Sequence, residues 1–437
     1  MNKLRSKNIS ETLLFLTVST VFIYQWDIIE GGVHISIPKA IAIILAGVVV
    51  VRILYQFCCS SLSIKRKLVI VVIPVVTFQI FEALSALQSS QVSIFALAVQ
   101  NAGILAWLCL PVAIITDRAQ WKNIMGAYVC SLIGVHIGII LTSLGVIDIN
   151  FGTLAQERVL KGAILENAMR TAGFLVNFGD VAVITSFTLP WLLMSILDDS
   201  GGWRLRIVSL CALGIVLIGA IFSVSRNVWV SSIIAVFSMM LLKILAVQNG
   251  RYRHPVLLSV IGFLGVLITL GANQIKNAIS TMQGVREVSV MSRIEQYSAA
   301  LKEIASNPLL GPGPGYTYEG LQVHSLYLNA LVHAGVGGLS LVGLLLVILL
   351  LLWKKAYRYG DGLSIAACSG YLGLLSAAGL YPVILSSAPV FWIAVGLAAS
   401  YALISNGTLS RREKSPEMGS RMVLEADYRV EMPRMRH

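Results

Sequence analysis

The chain is poor in charge. Of its 437 residues only 12% are Asp, Glu, Lys or Arg, while 57% are hydrophobic; a soluble domain carries about 25% charged residues. Water is therefore not its main solvent. The six cysteines, Cys58, Cys59, Cys109, Cys130, Cys211 and Cys368, form no CxxC pair and sit in or beside apolar runs. That spacing points to packing residues and away from a disulfide framework or a cysteine metal site. Lys3, Arg5 and Lys7 precede the first apolar run, but no small-residue cleavage site follows it, so a retained first span is expected in place of a signal peptide. The run GPGPG at Gly311–Gly315 lacks the Lys-Ser/Thr of a Walker loop and reads as a turn. No internal repeat is visible, and repeats are a common mark of transporters.

What is present is a succession of apolar runs, each long enough to cross the hydrocarbon core as a helix. They number about twelve, at roughly 9–26, 39–58, 68–88, 93–116, 124–146, 177–197, 207–224, 227–247, 255–272, 326–353, 362–382 and 386–405. The stretch from Ile207 to Ala246 is about twice the length that a bilayer needs. Its one polar cluster, Ser223, Ser225, Arg226 and Asn227, marks the turn, because a charge at mid-membrane costs at least a few kcal/mol.

With the N-terminus inside, the inner loops collect Lys65, Arg66, Lys67, Arg118, Lys122, Arg204, Arg206, Lys243, Arg251, Arg253, Lys354, Lys355 and Arg358. This is the positive-inside bias, and it absorbs most of the formal charge of +12, so no nucleic-acid partner is implied. Residues 1–405 form one membrane domain on this reading. Residues 406–437 form a basic cytoplasmic tail with little periodicity, expected to be disordered. Two outer connections are long, at about 147–176 and 273–323.

The second outer connection contains a legible helix. Ser292 and Glu295 have capping-box spacing. Ile294, Tyr297, Leu301 and Ile304 recur at helical intervals, and Asn307-Pro308 ends the run. This predicts an amphipathic helix lying on the membrane surface or on the bundle. A further helix is expected to start near His324 and enter the membrane. His324 and His333 lie nine residues apart, about 180° around a helix, so they do not share one metal, and His333 reads as a packed, hydrogen-bonded histidine.

Four residues assigned to the outer side carry candidate chemistry: Arg170 in RTAGFLVNFGD, Arg226 in SVSRNVW, Arg293 in MSRIEQY, and His324. Each also admits a plainer role. Arg170 can anchor a loop to headgroups, and Arg226 can cap a turn. Arg293 can be a solvated first-turn residue, although its sign is wrong for a helix N-terminus. His324 can be an ordinary interfacial histidine.

Taken together, the Arg-x-x-Gly segment before a span, the Ser-Arg at the end of a span, NPLLGPGPGY, and HSLYLNALVHAGVGG resemble the O-antigen ligase and O-antigen polymerase superfamily. Ser325 stands where that family more often has Asn. The resemblance covers roughly Arg170–Gly338. It implies an all-α, GT-C-like polytopic glycosyltransferase that moves a glycan from a polyprenyl-diphosphate carrier to an acceptor hydroxyl, outside a bacterial inner membrane. The acceptor is lipid A–core for a ligase or a growing glycan for a polymerase.

The residue types suit that task. Guanidinium forks bind diphosphate bidentately at fixed charge, a role for Arg170, Arg226 and Arg293. His324 suits a general base, with inversion at the sugar carbon. The scheme needs neither metal nor cofactor. The outer-loop acids, among them Asp148, Glu157, Glu166, Glu287, Glu295, Glu303 and Glu319, contain no DxD pair. Asp198-Asp199 lies in an inner loop too short for a sugar-nucleotide domain. A transporter or flippase of lipid-linked glycan is the alternative, and it predicts ionisable residues within the spans.

Overall fold

A computed structural model describes residues 2–19, 62–89, 94–147, 178–197, 202–223, 225–246, 293–319, 323–380 and 389–404. Arg170, Ser292, the expected spans 39–58 and 255–272, and the tail 406–437 lie outside the described residues. Those described contain twelve helices: α1 (Asn2–Ser19), α2 (Leu62–Ser89), α3 (Ile94–Ile114), α4 (Arg118–Ser143), α5 (Phe178–Leu197), α6 (Trp203–Ser223), α7 (Arg226–Ala246), α8 (293–306), α9 (Leu326–Ala334), α10 (Val336–Tyr359), α11 (Gly362–Gly379) and α12 (Pro389–Leu403).

Seven of these are long and apolar enough to cross a membrane: the helices at Lys67–Gln88, Arg118–Ser143, Gly179–Leu197, Trp203–Ser223, Arg226–Leu245, Val336–Tyr359 and Gly362–Gly379. Each falls on an expected span. The outward faces explain why the solvent must be apolar. On α2, Ile73, Ile80 and Leu87 recur every seven residues and are all exposed, Leu87 at 63%. On α10, Leu339, Leu346 and Leu350 are exposed, Leu350 at 66%. Apolar stripes of that length on an otherwise packed bundle are membrane-facing surface.

The tightest packing is among α5, α7 and α11. A helix in lipid gains little from burying apolar surface, so close approach through small residues takes over. Gly370 and Gly373 supply it on α11. A methyl on Gly370 would collide with the carbonyl oxygen of Phe187 in α5, and one on Gly373 would lie 2.6 Å from the Ala235 side chain in α7. At the α4–α6 contact, Gly219 makes room for buried His136, whose Nε2 pairs with Thr185 Oγ1 at 3.0 Å.

Buried aromatic side chains find partners for their polar tips. Trp121 Nε1 donates to the Leu397 carbonyl at 2.8 Å, and the Tyr128 hydroxyl donates to that of Val390 at 2.9 Å.

The two ends of the bundle differ. At one, Asp361 caps α11 by accepting from Ser364 N at 2.7 Å and also pairs with Arg118 at 3.0 Å. Beside it Lys355 Nζ donates to the last carbonyls of α12, Tyr401 at 2.5 Å and Ile404 at 2.8 Å, the favourable place for a cation. These are residues that the charge bias assigns to the inner face. The opposite end holds the α6–α7 turn, the end of α11 and the start of α9. The turn falls between Ser223 and Arg226, as the polar cluster predicted.

Gly370→Val tests the three-helix contact. It is expected to cost about 1–3 kcal/mol through overpacking, read as a lower melting temperature of the purified protein in detergent. An unchanged melting temperature would show that the α5–α11 approach carries no weight.

Candidate functional site

The expected span at 326–353 is two helices. α9 ends at Ala334, and Gly335, with φ of 50° and ψ of −125°, separates it from α10. A break among apolar helices orphans carbonyls on one side and amides on the other, and each must find a partner. The Pro/Gly run supplies them. Gly313 N donates to the Val332 carbonyl at 3.0 Å, and Val336 N donates to the carbonyls of Pro308 at 3.0 Å and Leu309 at 3.2 Å.

Glycine is needed at both faces of this contact. A methyl on Gly335 would lie 2.5 Å from Leu309 O, and one on Gly311 would meet the carbonyls of Val332 and Leu331. Asn307 locks the run by donating from Nδ2 to Gly311 O at 3.0 Å while accepting from Gly311 N at 2.8 Å on its own carbonyl. The segment NPLLGPGPG, of which GPGPG reads from sequence as a turn, is thus a plug seated in the break of a discontinuous helix.

His324 precedes α9 and is not part of it, because Ser325 is the N-cap, its hydroxyl accepting from Leu328 N. The opposition of His324 and His333 around one helix therefore does not arise. α8 lies against this segment. Its apolar residues divide: Tyr297 and Ile304 pack on a small separate core of Ala300, Val323 and Val332, while Ile294 and Leu301 are exposed. The inward face is shared with Gln296, which is buried.

Gln296 Oε1 pairs with His324 Nδ1 at 3.1 Å, and the Tyr297 hydroxyl donates to the His324 carbonyl at 2.6 Å. The imidazole and the backbone of His324 are therefore held from one helix turn. With Gln296 Oε1 the acceptor, Nδ1 carries the hydrogen and Nε2 the lone pair. Asn329 Nδ2 adds a third tie, to Val323 O at 2.9 Å. Burial pushes the Tyr297 phenol up from its ordinary value while nearby Arg293 pulls it partly back, so the hydroxyl stays a donor at neutral pH.

Arg293 is one turn before Gln296 and Tyr297 on α8 and half-buried, which brings it to the His324 side of that helix. Arg226 reaches the same end by another route. Its neighbour Asn227 donates from Nδ2 to Ala377 O at 3.2 Å, and Tyr327 of α9 donates to Leu375 O at 2.7 Å. The turn bearing Arg226 and the helix following His324 thus share the end of α11. Arg226 is exposed. The first turns of α7, α8 and α9 gather there, and helix N-termini carry partial positive charge. Arg226 and Arg293 thus both stand in first turns, where the helix dipole disfavours their charge, and the first turn of α5 brings the buried carboxylate Asp180.

Sequence reasoning passed over Gln296, the hydroxyl role of Tyr297, and Glu82. Position was the available signal for each: Gln296 and Tyr297 are i+3 and i+4 from Arg293, and Glu82 is a lone acid within an apolar span. The structure also accounts for His333 as a packed histidine, bonded through Nδ1 to Glu82 Oε1 at 2.8 Å. Among the described residues, no group of three or more His, Cys, Asp or Glu side chains is placed to hold a metal ion. No protein-family model matches the chain, and no curated protein matches it.

Gly335→Ala tests the plug. A side chain at this φ costs about 1–3 kcal/mol in strain and also strikes the Leu309 carbonyl. The variant is expected to melt lower; unchanged melting would mean that the break is not closed by 308–313.

Proposed function

We propose that the protein is a membrane glycosyltransferase of the O-antigen ligase and polymerase kind. It transfers a glycan from a polyprenyl diphosphate to an acceptor hydroxyl at the periplasmic face of a bacterial inner membrane, with both termini cytoplasmic. The observation that carries this reading is the fixing of His324 by Gln296 and Tyr297 at an end of the bundle that also presents Arg226 and Arg293.

In the reaction, the acceptor hydroxyl attacks the anomeric carbon as the bond to the diphosphate oxygen breaks. His324 Nε2 takes the hydroxyl proton, while Gln296 Oε1 accepts from Nδ1–H and steadies the imidazolium that forms. The leaving diphosphate carries away the bonding pair. Arg226 and Arg293, with Arg170 from the outer loop, bind its oxygens bidentately and stabilise the charge that develops. A direct single displacement inverts the anomeric centre, and the scheme calls on no metal or cofactor.

Transport of lipid-linked glycan is the second reading, and buried Glu82 paired with half-buried His333 favours it as ionisable residues within the helices. The bonding of His324 to Gln296 and Tyr297 at the end that carries Arg226 and Arg293 favours the transferase reading.

His324→Ala is expected to abolish glycan transfer while expression and membrane insertion persist, since a general base contributes about 10²–10⁴-fold. Full transfer by that variant would exclude the mechanism. A gene deletion examined by lipopolysaccharide electrophoresis separates the two acceptors: molecules bearing one repeat indicate a lost polymerase, and bare core with free lipid-linked polymer a lost ligase. Gln296→Leu, which removes the acceptor at Nδ1, is expected to lower turnover about tenfold with donor binding retained. Parent-like turnover would remove Gln296 from the mechanism.

A further inference from the structure

Glu82 lies in α2, inside a segment apolar enough to cross the membrane, and is only 2% exposed. A buried carboxylate needs donors for both oxygens, and here each has one. Asn101 Nδ2 of α3 donates to Oε2 at 2.9 Å, and His333 Nδ1 of α9 donates to Oε1 at 2.8 Å. One turn away Gln79 Nε2 donates to the Asn101 carbonyl at 2.8 Å. Three helices therefore meet at one carboxylate, and the α2–α3 seam is bonded at two levels.

Apolar side chains of the same volume often match or better such buried polar contacts in stability, so the arrangement invites a positional role. What the pair does is hold α9. This helix has nine residues, too few to persist without outside support. Its first residue follows Ser325 and His324; His333 is next to its last. The plug bonds to the α9 backbone and sets its depth. Tyr327 and His333 lie about 120° apart around the helix and tie it to α11 and α2 respectively, which sets its rotation.

We propose that Glu82, His333 and Asn101 form a positioning clamp that fixes the rotation of α9 and so the direction in which His324 presents Nε2 to the acceptor. The proposal rests on the reading of His324 as the base. Glu82 and His333 act through His324 and are positioning residues, not catalytic ones.

The experiment uses the full chain in nanodiscs with a lipid-linked glycan donor and its acceptor. Glu82→Ala and His333→Leu are each expected to lower kcat about tenfold to a hundredfold, the effect of a misplaced catalytic group, with KM for the donor within about twofold of the parent. The double variant is expected to be no worse than the poorer single, as for residues acting as one unit. His333→Gln, which keeps a donor for Glu82, is expected to recover much of the loss.

In parallel, amide exchange across Leu326–Ala334 is expected to quicken in Glu82→Ala. That readout needs no reaction. Glu82→Met keeps the length of the side chain but offers neither His333 nor Asn101 an oxygen acceptor, and takes the place of Glu82→Ala if the alanine variant fails to insert. Parent-like kcat in both singles, additive losses in the double, or unchanged exchange overturns the clamp. Full transfer by His324→Ala would overturn the base while leaving the exchange result to decide whether α9 is clamped.

Discussion

Every backbone amide and carbonyl among apolar helices must be bonded within the protein, because no water is there to do it. The break at Gly335 is where that constraint is met by other than helical means. The amide of Val336 turns to the carbonyls of Pro308 and Leu309, and the carbonyl of Val332 takes the amide of Gly313. A connecting segment outside the bundle is thereby drawn into it. Once the plug is seated, α8 just before it lies against α9, and Gln296 and Tyr297 reach His324. The plug secures the structure, and the placement of His324 by α8 follows from it.

The rest of the bundle gives this end something to rest on. α5, α7 and α11 approach closely through Gly370 and Gly373, and the end of α11 then receives both Asn227 and Tyr327. Two segments a hundred residues apart in the chain are brought to one helix end. The opposite end is tied by different means, with Arg118, Asp361 and Lys355 bonding helix termini to each other. Charge there serves helix ends. At the His324 end two arginines stand at helix N-termini, where charge of that sign opposes the dipole.

Much of the fold is legible in the sequence because hydrocarbon is an undemanding solvent to read: about twenty apolar residues make a span, and seven of the described helices fall where such runs lie. The α6–α7 turn is legible for the same reason, since Arg226 cannot stay at mid-membrane. The helix at 293–306 follows from its capping-box spacing, its period and the Asn307-Pro308 stop. Its seating does not, since period identifies an apolar face but cannot say which part of it meets protein. Ile294 and Leu301 face outward, while buried Gln296 occupies the inner face.

His324 and the arginines were nameable from residue type and local motif, because imidazole and guanidinium carry their chemistry with them. Their spatial relation was not. The partner of His324 is twenty-eight residues earlier in the chain and that of His333 is 251 residues earlier, and no local pattern encodes a bond over such separations. The sequence by itself determined the solvent, seven of the spans and the candidate groups, since each is a property of a short window. The tertiary structure alone decided that Gly335 breaks a helix, that the Pro/Gly run closes the break, and that Glu82 lies under His333, since each depends on which distant backbone or side-chain group supplies the missing hydrogen bond.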